Sequence, residues 1–139
     1  MADFDLAALG QWSPVEEMLV EAEATKAYAV ATNDDHPLHL SGKLAPPVFA
    51  VVPARPSFGW AISRITPPEV LLRVVHLAHD LRIDRPIVPG ARLATTAAAV
   101  GVHPRPSGTV VVVRSQTHQA GELVNEQHLS LFFRGVTGG

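Results

Sequence analysis

The sequence predicts an α+β fold, an antiparallel sheet wrapped on a mostly apolar helix, and three features carry that prediction. Four stretches rich in β-branched residues, VVHLAHDLRI, ARLATTAAAV, TVVVVRSQTHQ and ELVNEQHLSLFF, follow one another through the second half of the chain. RPIVPG, HPRPSG and AG punctuate them, as turn chemistry punctuates strands. Ahead of them lies ATKAYAVAT, a helical stretch, and helices followed by strands is the order of an α+β layer.

The elements follow in chain order. Residues 1–13 read as a loosely held arm that docks Phe4, Leu6, Leu9 and Trp12 on a single domain spanning 14–139. EMLVEAE, from Glu17, suits a short strand or the first turns of a helix, and a helix is expected over about residues 22–32. NDDHPLHLSG is loop chemistry that ends this helix by Pro37. The next segment, residues 45–63, carries prolines at 46, 47, 53 and 56, so a long regular helix there is expected to be interrupted. Pro46 and Pro47 suit the start of a short apolar helix. The four strands are expected to form one antiparallel meander. In the last of them, Leu123, Leu129, Leu131 and Phe133 share a face, opposite Asn125, His128, Ser130 and Phe132.

Composition removes several function classes. A chain of 139 residues with 47% hydrophobic and 17% charged residues has room for one core and enough apolar surface to fold. Eleven basic against thirteen acidic residues, without runs of one sign, argue against nucleic-acid binding. With no cysteine there is no thiol nucleophile, disulfide or thiolate metal site. The apolar run Leu93 to Val102 is about half a membrane span. The start lacks a basic n-region, so a cytoplasmic location and no membrane partner are expected.

Chemistry concentrates in the loop. Asp34, Asp35, His36 and His39 fall within six residues, just after the helix that carries Tyr28, and Pro37 stiffens the segment between them. A carboxylate beside an imidazole can hold the ring's tautomer and share a water, as adding or removing water across a double bond requires. The same residues also suit a turn-capping carboxylate with two solvated imidazoles.

The flanks bear on that choice. YAVATNDDHPLH resembles the signature of the MaoC-like family, the R-specific enoyl-thioester hydratases and 3-hydroxyacyl-thioester dehydratases. Tyr28, Ala29, Ala31, Thr32, Asp34, Pro37, Leu38 and His39 match. APPVF at Ala45–Phe49, the stretch from His76 through DLRIDRPIVPG, GELV from Gly121 and the closing LFFRG are similar to the N-terminal-type MaoC domain. The chain departs from the pattern at Asn33, where the family has Gly, at His36, where it has Asn, and in HLAHD at 76–80, where His-Gly-Glu-Gln is common.

The resemblance implies a hotdog fold, an antiparallel sheet wrapped around a central helix. It implies a reversible hydro-lyase acting on a 3-hydroxyacyl or 2-enoyl thioester of coenzyme A or acyl carrier protein. Asp34 and His39 would be catalytic, with Tyr28, His36 and Pro37 supporting their loop. Val48, Phe49 and Trp60 would line the acyl pocket, with backbone N–H groups of the APPVF segment polarising the thioester carbonyl. No metal or redox cofactor is implied. A lone domain would pair as a homodimer, or as a heterodimer with a second hotdog chain. The alternatives are a non-catalytic acyl-binding subunit of such a pair and, third, a hotdog thioesterase.

Other residues have ordinary explanations beside functional ones. His76 and His79, three apart on a strand, are expected on opposite faces. Asp34, His36 and His39 come from one short loop, a poor origin for a metal triad. Phe49, Phe58 and Trp60 suit an acyl tunnel or the core, and Arg82 and Arg85 suit a phosphate or a solvated edge. No GxG pattern supports a dinucleotide site.

Overall fold

The computed structural model describes residues 3–136. Its strands are β1 (Glu16–Leu19), β2 (Val74–Ile83), β3 (Arg92–Arg105), β4 (Gly108–Gln119) and β5 (Glu122–Arg134), and its helices are α1 (Ala22–Ala31), α2 (Pro37–Leu40) and α3 (Val51–Ile65). All five strands form one antiparallel sheet in the order β1-β3-β4-β5-β2.

The expected four-strand meander is thereby corrected. β3, β4 and β5 are consecutive neighbours, but β2 pairs with β5 on its far side. From β2 to β3 the chain must cross three inter-strand spacings, about 14 Å. The eight residues 84–91 reach roughly 26 Å when extended, so the crossing is easy. Backbone bonds mark its course: Asp84 and Arg85 N–H donate to Val124 O, Ala45 N–H to Ile87 O, and Gly90 N–H to Val20 O.

The helix α3 runs unbroken past its prolines, which corrects the second expectation. Pro47–Ala50 form a 3₁₀ turn that leads directly into it. Pro53 lies in the first turn, where N–H groups have no intrahelical acceptor, so nothing is lost there. Pro56 forfeits one hydrogen bond. Burial offsets it: Ala54, Ser57, Phe58, Ala61 and Ile65 recur at helical spacing and are packed away from solvent, the small residues bringing α3 close to the sheet. With Val111, Val113, Leu129, Leu131 and Phe133, the four apolar ones, Ala54, Phe58, Ala61 and Ile65, form the main core. A second core gathers Val20, Phe49, Ala50, Ile87, Leu93 and Val124.

Asn125 belongs to the buried face of β5, not the opposite one. It is 1% exposed and alternates in register with buried Gln127, Leu129, Leu131 and Phe133. The N-terminal segment is tied down more firmly than a loose arm. Asp5 N–H donates to Ile65 O, Gly10 N–H to Ala99 O and Ser13 N–H to Ala97 O. Phe4 packs edge-on against Phe133 at 5.2 Å, whereas Leu6, Leu9 and Trp12 stay exposed. Among the described residues no helix is long and apolar enough to cross a membrane.

Candidate active site

The site grows from the end of α1. Asn33 has φ +57°, the left-handed conformation that most often ends a helix on glycine and that asparagine tolerates best among the others. Around it the chain closes a Schellman motif: Asn33 N–H donates to Val30 O at 3.2 Å and Asp34 N–H to Ala29 O at 2.8 Å. The substitution of the family's glycine therefore leaves the turn intact, and Asp34 is clamped by its own backbone.

Both carboxylate oxygens of Asp34 are then used. Oδ1 accepts His36 N–H at 3.0 Å, an Asx turn, and Oδ2 faces His39 Nδ1 at 2.6 Å. The His36 amide, foremost, and then the His39 ring hold the Asp34 carboxyl below the usual carboxylate range, against the partial burial that raises it. As an ionised acceptor, Asp34 requires Nδ1 of His39 to carry the proton, which leaves Nε2 as the ring's proton-accepting atom in the neutral imidazole. His39 is buried on α2. His36 caps that helix, its Nδ1 accepting Leu38 N–H at 3.2 Å, and Pro37 occupies the first helical position, where its missing donor costs nothing. The His36 and His39 rings stack at 4.5 Å.

Tyr28 reaches the next segment. Its hydroxyl donates to Val48 O at 3.4 Å, and its ring meets Phe49 edge-on at 5.5 Å. Val48 is exposed, and its N–H makes no hydrogen bond with the described residues. Phe49 N–H is already committed to Pro46 O at 2.9 Å, and the Phe49 side chain is buried in the second core. Trp60 is not brought to this cluster. It lies ten residues beyond Ala50 on α3, about 15 Å along the axis, where it joins the main core beneath the Arg64 guanidinium at 4.8 Å.

His76 and His79 share a face, contrary to the strand-parity expectation. A register shift between His76 and Ala78 inserts one residue, and the two rings lie 5.6 Å apart. His79 Nε2 meets Gln127 Oε1 at 2.8 Å, and both histidines line a groove beside Arg55, Phe58 and Gly59. Among the described residues, no three His, Cys, Asp or Glu side chains are placed to hold a metal ion. Arg82 pairs with Asp84, and Arg85 with Glu122. Periodicity gave no sign of the His79–Gln127 bond, because the bulge that creates it has no signature in the sequence.

A five-stranded antiparallel sheet packed on one central helix is the hotdog architecture of MaoC-like hydratases and dehydratases. The chain belongs to the family described as the MFE-2 hydratase 2 N-terminal domain, whose model matches residues 41–135. The match begins two residues after His39, so the Asp34–His39 loop lies outside it. No curated protein matches the chain in sequence. Among solved structures it is similar to a chain of the HadBC 3R-hydroxyacyl-ACP dehydratase complex of Mycobacterium tuberculosis. That similarity has a TM-score of 0.78 at 21% identity and covers 90% of this chain and 96% of that one. A chain of the ChsH1-ChsH2 complex of the same organism aligns with a TM-score of 0.70 at 16% identity, over 93% and 87% of the two chains. The R-hydratase PhaJ1 of Pseudomonas aeruginosa aligns with a TM-score of 0.62 at 14% identity, over 91% and 81%. At these identities the likeness concerns the fold.

Proposed function

We propose that the chain is a hydro-lyase that interconverts a 2-enoyl and a 3-hydroxyacyl thioester, carried on coenzyme A or acyl carrier protein. The observation that supports this reading most directly is the 2.6 Å Asp34–His39 contact, which assigns the proton to Nδ1 and leaves Nε2 as a base. In hydration, His39 Nε2 takes a proton from water as its oxygen bonds to C3. The C2=C3 electrons move toward the thioester carbonyl, whose oxygen gathers negative charge and is met by Val48 N–H. The proton on Nε2 then passes to C2, so that one water has been added. Dehydration is the reverse. Tyr28 steadies the segment that carries Val48.

A second reading is a non-catalytic acyl-binding subunit; like the enzyme reading it needs a partner chain, and the β2 edge offers a place for one. β2 pairs on one side only, and Val74, Val75, Leu77 and Ile83 on it are exposed, as is Leu72 just before it at 97%. Such an edge calls for a partner, here a second hotdog chain, identical or not. The HadBC and ChsH1-ChsH2 neighbours are themselves complexes of two different subunits by name. Incubating the purified chain with crotonyl-CoA, and following loss of the enoyl-thioester absorbance, separates the two. Turnover by the chain alone supports the enzyme; no turnover alone but turnover with a second hotdog chain whose own Asp–His pair is intact supports the subunit.

A further inference from the structure

Gln127 is buried on β5 between Val124 of the second core and Leu129 of the main one, yet every polar atom of its side chain is bonded. Its strand is paired on both sides, with Leu81 of β2 and Ser115 of β4 opposite it, so the side chain grows from a rigid base. Ala50 O is a carbonyl and can only accept, which fixes Gln127 Nε2 on that side at 3.0 Å. The other Nε2 proton goes to Asn125 Oδ1 at 3.1 Å. Oε1 is thereby left for His79, whose Nε2–H donates to it at 2.8 Å. Turned over, the amide would set Oε1 against Ala50 O, two acceptors with no proton between them.

Ala50 closes the 3₁₀ turn Pro47–Ala50 and leads into α3, and two residues before it stands Val48, whose N–H makes no hydrogen bond with the described residues. The same turn is held from α1, where the Tyr28 hydroxyl donates to Val48 O, and Asp34 follows Tyr28 by six residues. The turn is thus tied to the helix that leads to Asp34 and, through Gln127, to the sheet. The Tyr28 bond is long, 3.4 Å, and exposed, whereas the Gln127 bond is shorter and shielded from water, so Gln127 is the firmer tie. A methionine would fill the same space without desolvating an amide, so packing alone does not account for a glutamine here.

We infer that Gln127 is a positioning residue: it holds the turn that presents Val48 N–H, and His79 holds Gln127 in the one orientation that can do so. The inference rests on the hydratase reading above, in which Val48 N–H meets the charge that gathers on the thioester oxygen. A donor of this kind works only if its place is fixed before the charge develops. His79 lines the groove beside Phe58 and Gly59, so the network runs from that groove to the turn without touching the Asp34–His39 pair.

Gln127→Met keeps the length of the side chain and removes the amide. Its kcat for crotonyl-CoA hydration should fall about tenfold while KM stays within about twofold, because the lost alignment matters in the transition state. The order parameter of the Val48 amide, from ¹⁵N relaxation, should drop from about 0.85 toward 0.6. His79→Phe keeps a ring against Phe58 and leaves Gln127 in place; it should repeat both changes to a smaller degree, and it serves if Gln127→Met folds poorly. In the parent, the His79 ring nitrogens should report a proton on Nε2. An unmoved Val48 order parameter in the folded variants overturns the inference, as does a His79 ring protonated on Nδ1 alone, or a loss carried by KM with kcat unchanged. A parent that does not hydrate crotonyl-CoA removes the hydratase reading instead, and the Val48 order parameter then decides the positioning by itself.

Discussion

His36 and His39 stack at 4.5 Å with their ring planes 28° apart, and each uses Nδ1 differently: His39 donates from it to Asp34, His36 accepts on it from Leu38 N–H. The ring at position 36 is therefore a helix cap pressed against the candidate base. An imidazolium cannot accept a hydrogen bond, so a positive ring at position 36 would lose the Leu38 N–H. His36→Asn retains a capping oxygen and has no charge to gain. We expect the variant to hydrate an enoyl thioester at neutral pH and to lose activity less steeply than the parent as pH falls. Paired pH–rate profiles measure this. An inactive variant of normal stability would place His36 among the catalytic groups.

Asp34→Asn and His39→Ala should each lower turnover about a hundredfold or more, with circular dichroism spectra like that of the parent. Asp35 is exposed, so Asp35→Asn should change little. Full activity in His39→Ala would end the mechanism, and equal losses at Asp34 and Asp35 would move the pair by one residue.

The depressed Asp34 carboxyl carries a stability signature. Its folded value lies below the unfolded one because the ionised form accepts the His36 amide and the His39 ring. Its contribution is thus fully present above the unfolded value, about 3.9, and is lost as pH falls toward and through the folded value. Urea midpoints of the parent and Asp34→Asn should differ by a constant between pH 5 and pH 7, and the parent's relative advantage should shrink below about pH 4. A difference that grows on acidification would show that Asp34 is not held ionised.

Much of the fold was legible because local chemistry decided it. The four strands lie within a few residues of the β-branched stretches, and α1 sits on its alanine-rich run, since neither needs distant information. The Asp34–His39 contact was legible for a similar reason: five residues and a proline confine both groups to one turn. What was hidden depends on tertiary context. Nothing local tells that residues 84–91 carry the chain across the sheet and place β2 beside β5. The bulge at His76–Ala78 reversed the parity argument for His79, and burial against the sheet kept α3 helical through Pro56. Asn125 read as an outward polar residue because its partner, Gln127, is polar and buried as well.

The β4–β5 hairpin turns on Ala120 and Gly121, with φ +51° and +79°. Two successive left-handed residues make a type I′ turn, in which asparagine at the first position is favoured and alanine is strained. Ala120→Asn should therefore stabilise the protein by roughly 1 kcal/mol, raising the melting temperature by about 4 °C without changing activity. A lower melting temperature would contradict the turn assignment.

The last expectation concerns the open side of β2. Leu77 sits at the bulge, 57% exposed, on a strand whose outer N–H and C=O groups have no partner strand in the sheet. An unpaired apolar edge of this kind pairs with another chain unless charge blunts it, and a lysine there costs a paired edge far more than a free one. The parent should scatter light as a dimer at micromolar concentration, and Leu77→Lys should shift it toward monomer while leaving the Asp34–His39 loop untouched. If the pair of chains completes the acyl site, turnover should fall in proportion to the dimer lost and recover as protein concentration rises. A parent that stays monomeric at micromolar concentration and still hydrates crotonyl-CoA would show that the β2 edge is no interface between copies.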